Sequence, residues 1–202
     1  MIYRILNIPI VYRAAQMILG PGAEKNILRR LQALVATLPM DGPLLDMGCG
    51  PESWLFKLGY DPVGLDIEPS YAAAYTAAGH RAVVGSAAEL PFPSESFQCV
   101  WTFAMFHHLP DNLAGKALAE AIRVTRPGGA VLVFDSILPR SVWRRPLAYA
   151  IRRLDRGRFM RPKERLLGLL PERAAWSVEH ISYAATGLEG VFCIYRKAPA
   201  AA

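Results

Sequence analysis

Cysteine is scarce in this chain, and the scarcity excludes several things at once. Only Cys49, Cys99 and Cys193 occur, far apart and without metal-ligand spacing. A disulfide framework and a cysteine-rich zinc site are therefore not expected, and the cysteines read as small buried hydrophobes of a reducing cytoplasm. Acidic residues are also in deficit, at 17 against 23 Lys and Arg, for a formal charge of +6. No uninterrupted apolar run opens the chain, because Arg4, Pro9 and Arg13 break "MIYRILNIPIVYRAAQMILGPG". That stretch is a poor signal peptide and a poor transmembrane helix. It reads better as a short apolar element lying on the domain's own core or at a membrane interface. A further lack is a third glycine: "LLDMGCGPESW" keeps Gly48 and Gly50 of a Gly-x-Gly-x-x-Gly loop and then departs from it.

What is present is enough for one α/β domain with a sizeable core: 202 residues, 52% of them hydrophobic. Helical periodicity marks residues 3–18 and 23–38. Beyond a turn at residues 39–43, short apolar runs at 44–47, 63–67, 82–84, 99–103 and 130–134 alternate with helical stretches at 53–58, 70–78 and 113–124. Such alternation predicts βα units around a mostly parallel sheet, and residues 174–183 and 190–196 read as an antiparallel pair at its edge. Arg126-Pro127-Gly128-Gly129 should stop a helix and turn the chain into the fifth strand.

The opening motif carries the chemistry. Two glycines at a strand-to-helix turn let a ligand approach the backbone, and Asp66 ends the next strand twenty positions after Asp46, where a carboxylate can accept both hydroxyls of a ribose. Glu52 would repel a pyrophosphate, so the loop suits a ribose-bearing ligand without phosphate and disfavours NAD.

Four ordered segments over roughly residues 42–138 resemble class I S-adenosylmethionine-dependent methyltransferases, in the small-molecule branch that includes quinone-biosynthesis enzymes. They are "LLDMGCG", "GLDIEPS", "GSAAELPFPSESFQCVWTFAMFHHLPD" and "ALAEAIRVTRPGGAVLVFDS". The resemblance implies a Rossmann-like, doubly wound, seven-stranded and mostly parallel sheet with an antiparallel last strand, a helical N-terminal extension and a helical lid. It implies S-adenosylmethionine as cofactor and S-adenosylhomocysteine as product. Asp46, Gly48, Cys49 and Gly50 would border the methionine end, and Asp66 would hold the ribose with Ile67 beside the adenine. Ser86, where the family commonly has aspartate, would meet the adenine edge with Ala87. Thr102 and Phe103, in the turn reaching Ala104, would offer backbone carbonyls to the ammonium.

His107 is the candidate base for a hydroxyl acceptor, since imidazole titrates near neutrality; a structural role for it stands beside that reading. No metal site is expected. The domain division expected is a helical cap at 1–40, a methyltransferase domain at 41–197 with a substrate lid at 141–170, and a disordered tail at 198–202. The lid is strongly basic, with Arg144, Arg145, Arg152, Arg153, Arg156, Arg158, Arg161 and Lys163, and it interleaves large apolar residues. It is read either as a solvated basic face or as an amphipathic element meeting an anionic membrane, which adds a peripheral location to the cytoplasmic one. The acceptor expected is a small, apolar or lipid-like molecule; a catalytically silent cofactor-binding protein and an RNA methyltransferase are the alternatives. No base-methylating Asn-Pro-Pro-Tyr or Pro-Cys run follows the fourth strand, which counts against nucleic acid. The oligomeric state is not written in the sequence.

Overall fold

The computed structural model describes residues 23–143, 145–154, 157–182 and 187–200. The helix expected at residues 3–18 lies outside them. Seven strands form one sheet: β1 (Leu44–Met47), β2 (Val63–Asp66), β3 (Ala82–Val84), β4 (Phe97–Phe103), β5 (Thr125–Ile137), β6 (Trp176–Ser182) and β7 (Glu189–Arg196). Their order is β3-β2-β1-β4-β5-β7-β6. All pairings are parallel except those of β7, which runs antiparallel to β5 on one side and β6 on the other. The last strand thus inserts inside the sheet, and β6 takes the edge.

Period-two alternation distributes side chains to two cores. Along β5, Val131, Val133 and Ile137 enter one cluster, while Ala130, Leu132 and Phe134 enter the other. Helix α1 (Ala23–Val35) covers the second face through Ile27, Leu31 and Val35, spaced at i, i+4 and i+8. Each such burial is worth about 1.5–3 kcal/mol. Helix α3 (Asp111–Val124) covers the first face with Ala114, Ala117, Leu118, Ala121 and Val124. Phe97 and Val100 share that face although three residues apart, because the β4–β5 register shifts between Phe97 and Cys99.

Helix α2 (Pro69–Ala77) starts where the sequence says it should, with proline in its first turn and the Glu68 carboxylate accepting from Ser70 N. The helix expected at 53–58 is reduced to one 3-10 turn, Phe56–Leu58. Ser53 explains the failure: its hydroxyl accepts from Leu55 N at 3.1 Å and donates elsewhere, and Gly59 then closes the turn at φ 83°. Trp54 packs on Phe103, with ring centroids 5.2 Å apart. Between β5 and β6 lie α4 (Pro146–Leu154) and the short α5 (Lys163–Leu167). At the chain end, Gly128 N donates to both Lys197 O and Ala198 O.

Candidate functional site

The chain order reverses between β1 and β4, so a crevice opens beyond the carboxyl ends of those strands. β4 continues past β1: Asp46 is level with Trp101, and Thr102 and Phe103 pair only with β5. The residues singled out from the sequence converge on this edge. Gly48 and Gly50 adopt φ of 76° and 61°, conformations that favour glycine. A Cβ on Gly48 would come within 2.7 Å of the Met105 side chain, whereas Gly50 faces open space. Gly48 N and Cys49 N both donate to Leu65 O, at 2.7 and 3.1 Å, which fixes the turn against β2.

Asp66 closes the loop from the other side. Its Oδ2 accepts from Gly50 N and its Oδ1 from Glu68 N, each at 2.9 Å. A carboxylate has about four lone-pair directions, so each oxygen retains one for a further donor. Ile67, directly beyond it, is 74% exposed, and Val84 at the end of β3 is exposed too. Two bare aliphatic side chains beside a carboxylate make an apolar shelf with a polar anchor, which fits a nucleoside. No α-helix follows the glycine turn, so no helix N-terminus is available for a pyrophosphate.

Other sequence candidates divide. Ala87 is buried near the shelf; Ser86 accepts from Ala88 N at 3.2 Å through its hydroxyl, within its own turn. Thr102 is fully buried and Phe103 lies among Trp54, Trp101 and Phe134, so a ligand would meet backbone rather than side chain there. Ala104 bends the chain at φ 58°. Cys49 points inward, its sulfur 2.8 Å from where a Cβ on Gly64 would sit, and burial pushes its thiol well above the ordinary range. Its side chain is packing, and only its backbone faces the turn.

Asp46 is buried, and Ser53, a residue the sequence reading did not single out, donates to its Oδ2 at 2.5 Å. Burial, with the Asp66 charge as a smaller influence, raises the Asp46 carboxyl to about 7, against the lowering effect of the Ser53 bond. The sign of the consequence follows from linkage. Between about pH 4 and pH 7 the unfolded chain gives up this proton while the folded chain keeps it, so stability is lost as pH rises. The loss is on the order of 4 kcal/mol above pH 7. Asp46→Asn preserves an acceptor for Ser53 and cannot ionise. Thermal melts should show it more stable than the parent at pH 8, the gap closing toward pH 4; a pH-independent gap would remove Asp46 as the titrating group.

His107 follows β4 in a short 3-10 turn, Phe106–His108. Its ring is 5% exposed, with Nδ1 2.5 Å from Oδ1 of Asp135, itself 1% exposed. The partner is on β5, 28 positions away, and the sequence reading missed it. Gly157 lies over the ring: a Cβ there would come within 2.1 Å of Cδ2. Phe159 N donates to His107 O at 3.0 Å.

The segment between β5 and β6 is tied to this turn by Arg161, buried at 3% exposure. Its guanidinium donates to Asp111 Oδ1 at 2.6 Å, to Phe106 O at 2.8 Å and to Leu109 O. Leu138 N donates to Arg161 O at 2.9 Å. Arg161 and Arg165 together hold the Asp111 carboxyl below its usual range. Arg152, read from sequence as part of a solvated or membrane-facing basic run, is instead buried and donates to Glu189 O at 3.1 Å. His80 and His180 pair with Asp61 at 2.7 Å and with Glu189 at 2.8 Å. Among the described residues no group of His, Cys, Asp and Glu could hold a metal ion, and no helix is long and apolar enough to cross a membrane.

Known proteins share this fold. Residues 45–133 match the family described as "Methyltransferase domain". A tRNA (carboxymethyluridine(34)-5-O)-methyltransferase of Arabidopsis thaliana is 32% identical over 109 residues, covering 52% of this chain and 26% of that protein. A 2-methyl-6-phytyl-1,4-hydroquinone methyltransferase of Synechocystis is 30% identical over 126 residues, covering 55% and 39%. The chain thus spans well under two thirds of the length of these curated relatives. Among solved structures, a methyltransferase of Thermotoga maritima described as a possible histamine N-methyltransferase superposes with a TM-score of 0.69 at 18% identity. The match covers 96% of this chain and all of that one.

Proposed function

We propose that this chain, which belongs to the class I S-adenosylmethionine-dependent methyltransferases, moves a methyl group from that cofactor to a small, largely apolar acceptor. The observation that carries the reading is the edge at which open space over Gly50, the Asp66 carboxylate and the exposed Ile67 meet. Asp66 holds the ribose hydroxyls, and Ile67 and Val84 flank the adenine with Ser86 and Ala87 at its rim. Gly48, Gly50 and the neighbouring Asp46 border the methionine end, and the backbone of Thr102 and Phe103 receives the ammonium. When bound, the sulfonium would supply an electrophilic methyl group for the acceptor's lone pair to attack, and the carbon–sulfur electron pair would leave with S-adenosylhomocysteine. The protein's task is alignment and exclusion of water.

Asp135 orients the His107 imidazole through Nδ1, and on this reading His107 is the base that takes up the acceptor's proton. The ring is covered by residues 157–159, so this segment has to shift when the acceptor enters. Residues 141–170 form the acceptor lid on this reading. The apolar character of the acceptor rests on the leucines and aromatics within that lid.

Calorimetry with S-adenosylmethionine, S-adenosylhomocysteine and NAD tests the cofactor. Both adenosyl ligands should bind, and binding of NAD alone would defeat the assignment. Mass spectrometry of small-molecule and lipid extracts from cells with and without the gene tests the acceptor: a methylated small molecule should disappear with the gene. Stoichiometric methylation of RNA with small acceptors untouched would overturn the acceptor class. Cofactor binding without turnover across broad screens would favour a silent binding protein.

A further inference from the structure

Helix α4 is amphipathic in the wrong direction for a helix that faces water. Arg145 N donates to Ser141 O and Tyr149 N to Arg145 O, so the helical track begins ahead of Pro146. On that track Arg145, Ala148 and Arg152 fall at i, i+3 and i+7 and turn inward. Arg145 reaches Gly187 O at 3.0 Å and pairs with Glu189 at 3.0 Å; Ala148 is fully buried; Arg152 donates to Glu189 O. The outward positions are Trp143, Leu147 and Ala150, at i, i+4 and i+7. Trp143 is 95% exposed and Leu147 62%, with Val142 exposed beside them.

The half-exposed Arg145 is therefore held by the Glu189 carboxylate and the buried Arg152 by the Glu189 backbone carbonyl, while a tryptophan and a leucine stand in solvent. Exposing an indole beside two aliphatic side chains is unfavourable, so an apolar surface covering the outer face would stabilise the arrangement. The surroundings are cationic. Arg140, 4.0 Å from the Glu164 carboxylate, and Arg158 are exposed and flank the helix in sequence, and residues 140–165 hold only Asp155 and Glu164 as acids.

We propose that the outer face of α4, with Trp143, Leu147 and Val142 as its apolar tip and Arg140 and Arg158 at its rim, docks on an anionic lipid bilayer. Trp143 sits at the headgroup level and Leu147 reaches the acyl boundary, while the rim arginines meet lipid phosphates. The charge argument selects this occupant. The chain's own residues 1–22 carry Arg4 and Arg13 and no acidic side chain, and a second copy would bring an identical cationic rim, so both would repel the face they covered. The docking surface lies on the same segment as the proposed acceptor lid, which would let an apolar acceptor pass from the bilayer to His107 without crossing water.

Flotation of the full chain with vesicles tests this. Phosphatidylcholine vesicles containing about 30% phosphatidylglycerol should carry the protein up the gradient, and pure phosphatidylcholine should carry at least about tenfold less. The double variant Trp143→Ala/Leu147→Ala should lose at least about tenfold of the anionic-vesicle binding. Arg140→Glu/Arg158→Glu should lose a similar factor, and added salt should weaken the parent in the same way. Both variants should keep the parent's thermal melt and its affinity for S-adenosylhomocysteine. Unchanged flotation of the apolar variant would overturn the proposal. So would sedimentation velocity showing a dimer that the apolar variant dissolves, or shielding of Trp143 from acrylamide in the absence of vesicles. Cofactor affinity measured on the same samples keeps the two readings apart: no flotation with intact affinity overturns the surface alone, and flotation without affinity overturns the methyltransferase reading alone.

Discussion

Asp66→Ala is expected to weaken binding of S-adenosylmethionine by at least about tenfold while the fold survives. The carboxylate would lose both ribose hydroxyls, each charge-assisted bond being worth about 1.5–3 kcal/mol. It would also release Gly50 N, which it holds at 2.9 Å, and with it the glycine turn that faces the ligand space. Asp66→Asn separates the two contributions. One amide oxygen still accepts from a backbone N–H, but the NH2 cannot accept from a ribose hydroxyl, so an intermediate loss is expected. Titration calorimetry on both variants, with circular dichroism as a check on folding, reads the result. Normal affinity in Asp66→Ala would mean that the ribose is held elsewhere and that the site has been read from the wrong strand end.

Asp135→Ala is expected to be the most destabilising of the substitutions considered, at about 3 kcal/mol. Asp135 and His107 are 1% and 5% exposed, and Asp135 Oδ1 also accepts from Ser136 N at 2.9 Å. Removing the carboxylate strands an imidazole N–H and a backbone N–H away from water. For a chain of this size the melting temperature should fall by roughly 6–12 °C. His107→Ala/Asp135→Ala should cost less than the sum of the single variants, because the second change removes the group that the first left unsatisfied. Additive costs in urea titrations would show that the pair does not act as a unit. Partially active His107→Gln, with kcat lowered and KM kept, would separate a base from a packing residue, since glutamine can bond Asp135 but cannot take up a proton.

Features set by local spacing were legible in the sequence. The strand-to-turn glycines, the carboxylate twenty positions on, the proline-started α2 and the alternating core of β5 all appear where periodicity and turn chemistry put them. Each depends on a few neighbouring residues, and backbone sterics and side-chain period act at that range. Where the local reading failed, a longer-range contact had prevailed. Residues 53–58 carry enough apolar character for a helix, but the Ser53 hydroxyl is recruited by Asp46 across the turn and by Leu55 N, leaving only a 3-10 turn.

The sequence by itself therefore determined the order of the elements and which ends of them carry glycine, carboxylate and imidazole. Tertiary structure alone decided which of these groups meet. Register between β4 and β5 brings His107 to Asp135. Insertion of β7 between β5 and β6 places Glu189 where its carboxylate meets Arg145 and its backbone carbonyl meets Arg152, on the side of α4 away from the exposed Trp143 and Leu147. The charge count of residues 140–165 cannot distinguish an arginine in water from one spent on a buried carboxylate. Burial depends on what packs against each side chain, and those partners lie tens of positions away in the chain.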